Sequence, residues 1–255
     1  MLKACESFDE VLLFDNGSQD ETLSIARPFK NVTIVEGTFK GFGITHNEAS
    51  SLAKNDWILS VDSDEILPAA LVEEIKKLAL DEQNVYAISR HNEFNGKFIK
   101  WCGWYPDFQV RLYHRKKTAF SVAQVHEAVL TEDLEVKKLK NPMLHYSYDS
   151  VADFLTKMQS YSHLFAEQNC GKKHSSPLIA CAHAAFAFFK SYILKRGFLG
   201  GYEGFFISIY NCHTAFYKYV KLYEANQKSK CSIEDKIRLC PEEKAASLSF
   251  SNDSH

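Results

Sequence analysis

Apolar and polar positions follow two different periods along the first third of the chain. Val11-Leu12-Leu13-Phe14 is an unbroken apolar run too short for a helix, and it gives way to the polar stretch Asp15-Asn16-Gly17-Ser18-Gln19-Asp20. This predicts a buried strand, a turn, and then a helix from Glu21 to about Arg27. Val32 to Glu36 reads as a second strand, Phe39 to Gly43 as a glycine-bearing loop and Ile44 to Ala53 as a helix. Trp57-Ile58-Leu59-Ser60-Val61 is a third strand, ending at Asp62-Ser63-Asp64-Glu65. Pro68 opens a helix to Leu80, with Leu71, Ile75 and Leu78 spaced along one face. Upstream, Leu2 to Phe8 reads as the end of a helix.

From Val85 the pattern changes. Val85 to Arg90, Phe108 to His114 and Val122 to Leu130 are predicted strands, interrupted by the hairpin signal Asn95-Gly96 and by Gly103-Trp104-Tyr105-Pro106. After His145-Tyr146-Ser147-Tyr148 the periodicity is helical: Ser150 to about Gln168, Pro177 to Arg196, and Gly204 to about Asn226. The expected organisation is therefore an α/β domain over 1–148, a helical extension over 149–226, and a polar, loose tail over 227–255. Strands alternating with helices argue for βαβ units and a mainly parallel sheet. Ligands of such sheets bind beyond the carboxyl ends of the strands, which is where both acidic turns fall.

Composition narrows the function without choosing it. Hydrophobic residues at 45% and charged residues at 24% are those of an ordinary folded protein, and a net charge of −2 argues against a nucleic-acid binder relying on overall positive charge. The seven cysteines, Cys5, Cys102, Cys170, Cys181, Cys212, Cys231 and Cys240, are scattered singly, which suits reduced thiols in the cytoplasm better than a disulfide framework or zinc site. Met1 is not followed by an apolar leader segment.

A D-x-D placed directly after a buried strand has a physical use. Alternate residues leaving the strand turn toward one cavity, and two carboxylates there repel unless a divalent cation screens them. A hard cation with open positions then takes the oxygens of a diphosphate, whose charge grows as it leaves. Asp62 and Asp64 are thus candidates for a nucleotide-diphosphate and metal site, with Asp64 the more direct metal ligand and Mg²⁺ or Mn²⁺ the cofactor. The competing reading is that this run merely caps the next helix. Asp15, at the end of the preceding strand, is placed to accept from a pyrimidine N–H; Asn16-Gly17 suits a simple Asx turn equally well.

Three segments in this order, Leu13-Phe14-Asp15-Asn16-Gly17-Ser18-Gln19-Asp20, the Gly43-x-x-x-Asn47 helix start, and Ile58-Leu59-Ser60-Val61-Asp62-Ser63-Asp64-Glu65, resemble family 2 glycosyltransferases of the GT-A fold. Trp104-Tyr105-Pro106-Asp107-Phe108-Gln109-Val110-Arg111-Leu112, Val125-His126-Glu127 and His145 resemble a narrower branch, the lipopolysaccharide core β-glucosyltransferases. The resemblance implies an inverting transfer of a hexose, glucose above all, from UDP-glucose to an oligosaccharide or lipid-linked acceptor of the bacterial envelope. It makes Glu127 the catalytic base, with Asp107 the alternative. It makes Asp15, Lys40, Asn47 and Asp62 nucleotide-sugar contacts, and Asp64 and His145 metal ligands. Trp101, Trp104 and Tyr105 offer a stacking surface for a sugar. Members of the family begin with a further strand and helix, so this chain is expected to lack the first strand. A nucleotidyltransferase, or a degenerate relative that binds a partner without catalysis, are the rival readings.

In the helical extension, Pro177 to Phe189 is apolar but shorter than the roughly 20 residues a spanning helix needs. Residues 177–220 combine aromatics with Lys190, Lys195, Arg196 and Lys218. That pattern fits either a segment lying at a membrane surface or a subdomain packing on protein. The expected location is cytoplasmic, with a peripheral place at the inner face of the cytoplasmic membrane.

Overall fold

The computed structural model describes residues 1–122, 127–146, 148 and 150–239. Two compact units divide the chain, Met1–Asp149 and Ser150–His255. The first contains α1 (Leu2–Cys5), β1 (Val11–Asp15), α2 (Thr22–Ala26), β2 (Val32–Glu36), α3 (Phe42–Leu52), β3 (Trp57–Leu59), β4 (Glu65–Ile66), α4 (Ala69–Lys76), β5 (Asn84–Phe94), β6 (Lys97–Phe98), β7 (Asp107–His114), β8 (Glu135–Lys138) and β9 (Met143–His145).

β1 and β2 form a parallel pair, from Val11 beside Val32 to Asp15 beside Glu36. The remaining strands make a second sheet in the order β3-β7-β5-β9-β4, with β6 and β8 also on β5. The expected mainly parallel sheet is in fact mixed. β5 runs parallel to β8 and β9, while β3 and β5 pair β7 antiparallel and β4 pairs β9 antiparallel. The reason is local: after α4 the chain returns through long turns and hairpins rather than crossover helices, and such returns give antiparallel neighbours. No described strand joins β1 to β3 by hydrogen bonds, so the described strands form two separate sheets.

α4 presents Leu71, Val72 and Ile75 to a core that also takes Leu67, Tyr86, Ile88, Leu112 and Met143, with Phe8 and Val11 packed against it. These side chains anchor the carboxyl end of β3 and the short β4, and so fix the acidic run between them.

Several predicted boundaries move. Of the strand expected over Val122 to Leu130, residues 123–126 fall outside the described residues, and the described ones show a single bridge between Phe120 and Val129. β4, β8 and β9 carry no readable apolar period. All four residues of β8 are exposed, and β4 and β9 are only two and three residues long.

The second unit holds α5 (Val151–Asn169), α6 (Pro177–Phe189) and α7 (Gly201–Leu239). A capping box of Ser150 and Asp153 starts α5. Ser176 accepts from Ile179 N, with Pro177 as the first helical residue of α6. α6 does not stop at Phe189. It continues through a π turn over Lys190–Leu194, and Pro177–Leu194 is long and apolar enough, by length and composition, to cross a membrane. A 3-10 turn, Gly197–Gly200, then leads into α7. α7 reaches Leu239, past the helix end expected near Asn226, so the segment expected to be loose begins as helix. Lys228 pairs with Glu224 one turn back and supports this continuation.

Candidate active site at the acidic strand end

Asp62, Ser63 and Asp64 form the turn between β3 and β4. Glu65 N bonds back to Asp62 O, and the two acidic side chains leave for different partners. The Asp62 carboxylate accepts from Arg111 Nη2 at 2.5 Å and lies 3.6 Å from His46 Nε2. Arg111 rises from β7 where the pairing with β5 shifts register: Tyr86 faces Leu112 and Ala87 faces Val110, leaving Arg111 as the extra residue of a bulge. Its guanidinium also reaches Glu65, which is wholly buried and accepts from Asp62 N at 2.9 Å. Burial pushes the Glu65 carboxyl above its ordinary range, with Arg111 pulling it back. Burial likewise works against the Arg111 charge, but Glu65 and Asp62 outweigh it and hold the guanidinium ionised. One buried cation therefore serves two carboxylates.

Asp64 turns the other way. Its Oδ2 lies 3.2 Å from His145 Nε2, brought there because β4 pairs β9 with Glu65 opposite His145. Asn92 on β5 donates its amide to Trp104 O, so its carbonyl oxygen is the end facing His145 Nδ1 at 2.5 Å. Nδ1 thus carries the proton, and Nε2 is aimed at Asp64 in the manner of a metal-ligating histidine steadied from behind. Among the described residues no three His, Cys, Asp or Glu side chains close into a metal cage. A carboxylate and an imidazole are donor types that a divalent cation takes, so the pair could hold one only with oxygens from a bound ligand completing the set.

His46, on α3, was not singled out by its sequence. It stacks on Phe120 with ring centroids 4.4 Å apart, and its Nδ1 meets Ser60 Oγ at 3.1 Å. Burial lowers its pKa; Arg111 adds to this, and Asp62 and Glu127 oppose it. That Glu127 acts on His46 places the candidate base in the same neighbourhood as Asp62. Gly43 makes this possible. A Cβ there would sit 1.9 Å from Ser121 O and 3.6 Å from Glu127 Cβ, so only glycine lets the start of α3 lie against this arm.

Other predicted residues have local tasks. Asp15, at the end of β1, turns its buried carboxylate into its own loop, accepting from Gly17 N, Ser18 N and Ser18 Oγ. The bonds from Ser18 hold its pKa below the ordinary range, so the Asx-turn reading is realised here. Asn47 uses both ends of its amide on the Phe120 backbone, tying α3 to the arm that leads toward Glu127. Lys40 is exposed and pairs with Glu48 at 2.9 Å. Asp107 pairs with Arg90 at 2.7 Å and accepts from Gln109. Trp104 stacks on Tyr148, and Tyr105 packs on His91. The acidic turn, His145, His46 and Glu127 thus gather at the carboxyl end of β3. Two hollows, of about 470 and 280 Å³, lie elsewhere, the first at the amino ends of β1 and β2 around Pro28 and Asn31, the second behind α3 around Ser50 and Arg115.

A family model described as glycosyl transferase family 2 matches residues 1–135, more than half of the chain. The chain belongs to glycosyl transferase family 2. Its first unit is a GT-A-type transferase domain with a helical unit after it, and the protein is a glycosyltransferase. It is 28% identical over 245 residues to an uncharacterized glycosyltransferase of Rickettsia conorii, covering 87% of this chain and 83% of the relative. It is 29% identical to another from Rickettsia typhi, with 87% and 80% covered. Among solved structures, residues 1–349 of Staphylococcus aureus TarS in complex with UDP-GlcNAc align with a TM-score of 0.44 and 13% identity over 92% of this chain and 87% of that one.

Proposed function

We propose that this glycosyltransferase moves a hexose, glucose by preference, from UDP-glucose to a saccharide acceptor of the bacterial envelope, in lipopolysaccharide core assembly, with inversion at the anomeric carbon. One observation carries the reading: Asp64 and His145, far apart in sequence, meet at the carboxyl end of β3 with the imidazole steadied by Asn92. A Mg²⁺ or Mn²⁺ ion held by Asp64 and His145 would supply Lewis-acid neutralisation of the departing diphosphate. Asp62, fixed by Arg111, is the ribose contact, and Asp15 at the end of β1, Lys40 in the loop before α3 and Asn47 on α3 are the remaining nucleotide-sugar contacts. Glu127 takes the proton of the acceptor hydroxyl as its oxygen attacks the anomeric carbon. The bond to the diphosphate breaks on the opposite face and its electron pair leaves with UDP. Asp107, already committed to Arg90, is the second choice of base. An oligosaccharide or lipid-linked acceptor places the protein in the cytoplasm, at the inner face of the cytoplasmic membrane.

Saturation-transfer NMR with UDP, with and without Mn²⁺, tests the donor half. Metal-dependent transfer to the uridine signals is expected in the wild type and lost in Asp64→Ala. A panel of radiolabelled nucleotide sugars with truncated core oligosaccharide tests the rest. Turnover that survives Asp64→Ala would remove that residue from the mechanism.

A further inference from the structure

Between Pro177 and Tyr202 there is no Asp or Glu, while Lys190, Lys195 and Arg196 are all exposed. The helix within this stretch has its larger apolar side chains on the outside. Ala180, Ala184 and Ser191, at helical spacing, are buried, and Ser191 is tied to α7 through Ser208 and Asn211. On the opposite arc Leu178, Phe186, Phe189 and Ile193 are 83%, 59%, 48% and 45% exposed. The Pro177–Leu194 segment as a whole is only 17% buried. A helix whose solvent face outweighs its packed face in apolar bulk is not explained by folding alone. The exposed arc continues around the tip of the hairpin: Tyr192 touches Phe198 in the 3-10 turn and Phe205 at the start of α7, and both phenylalanines are about half exposed.

We propose that the tip of the α6–α7 hairpin adsorbs to an anionic lipid bilayer, with its phenylalanines in the acyl boundary and its three basic side chains among the headgroups. Charge complementarity decides the occupant. A second copy of this surface would set basic groups against basic groups with no acid to answer them, whereas a negatively charged leaflet answers all three. The hairpin lies on the surface rather than spanning it, because one face of this helix, Ala180, Ala184 and Ser191, is buried, with Ser191 in the π turn hydrogen-bonded to Ser208 and Asn211 of α7. The placement follows the pattern of interfacial helices, apolar bulk on one side and lysine or arginine at its border. It concerns the second unit alone and does not depend on the sugar chemistry proposed above.

Flotation of the full chain with phosphatidylcholine vesicles, with and without phosphatidylglycerol, reads the proposal directly. Binding is expected only when the anionic lipid is present, and it should weaken as salt shortens the Debye length to about 10 Å and below. Each basic residue near such a surface is worth about a fivefold change in partition, so the triple charge reversal Lys190→Glu, Lys195→Glu, Arg196→Glu should cost at least about a hundredfold. Phe186→Glu with Phe189→Glu should abolish binding. All five positions are exposed, so the variants should keep their helices, which circular dichroism checks. Equal binding to neutral vesicles overturns the proposal, as does no binding at all. Retention after alkaline carbonate, the mark of a spanning segment, overturns it too. So does a concentration-dependent dimer that Phe186→Glu breaks in the absence of any vesicle binding. UDP binding measured on the same samples separates a failure here from a failure of the proposed function.

Discussion

Replacing Arg111 with methionine removes the one cation that Asp62 and Glu65 share, and the structure sets the size of the effect. Asp62 is more than a third exposed on its side chain, so solvent screens what it loses. Glu65 is fully buried, and the cost falls there. Breaking a buried ion pair from one side costs about 3–5 kcal/mol, since a charge is left uncompensated. Protonation caps that cost. Taking up a proton at pH 7 costs a glutamate with an ordinary pKa of about 4.3 some 2.7 units, or about 3.7 kcal/mol. At pH 5 the same cap is only about 1 kcal/mol. The expected deficit of Arg111→Met is therefore about 3–4 kcal/mol at pH 7, shrinking to about 1 kcal/mol at pH 5, because its Glu65 has a raised folded-state pKa and is relieved by acid. The assay is selective: Trp57, Trp101 and Trp104 are the only tryptophans and all lie in the first unit, so urea unfolding followed by their fluorescence reports that unit alone. Adding Glu65→Gln should erase the pH dependence and recover most of the loss at pH 7. A single-variant deficit below about 1 kcal/mol at pH 7, or one equally large at pH 5, refutes the claim that Arg111 exists to neutralise a buried carboxylate.

Three further outcomes test the site. Glu127→Gln should lower kcat by about 10²–10⁴ with KM nearly unchanged, as loss of a general base does; an unchanged kcat moves the base to Asp107, to be checked by steady-state kinetics of Asp107→Asn. Gly43→Ala drives a Cβ to 1.9 Å from Ser121 O, a backbone atom that cannot swing aside, so the first unit should lose about 1–3 kcal/mol in the same fluorescence assay, and kcat should fall as the arm carrying Glu127 shifts. His46 has a folded-state pKa held below the ordinary value of about 6.5, chiefly by burial. Its contribution is thus fully present above pH 6.5 or so and is lost as pH falls through the folded value, because the unfolded chain takes the proton first. His46→Gln should flatten the acid side of the urea-midpoint profile over that window, and an unchanged slope would show that the imidazole is already solvated.

Legibility in the sequence tracked how local the cause was. The run Val11 to Asp15 announced β1 and its turn because a strand end and an Asx loop are written in consecutive residues, and the acidic run after β3 was readable for the same reason. β8 was not readable, because Glu135-Val136-Lys137-Lys138 is exposed on every residue and is held only by backbone pairing with β5, which leaves no side-chain period. The site followed the same rule. Asp62 and Asp64 stood out as neighbours, whereas Arg111, His46 and Asn92 owe their places to β7, α3 and β5 packing beside the acidic turn, and nothing within a few residues of each predicts that. Asp15 shows the converse. Its local chemistry was so complete, with three donors from its own loop, that the sequence alone left two readings open and the structure realised the local one. A lone charge is expelled from a core unless paired, so a buried Arg111 needs a carboxylate partner, but only the packing of β7 beside the acidic turn shows that Asp62 and Glu65 supply it.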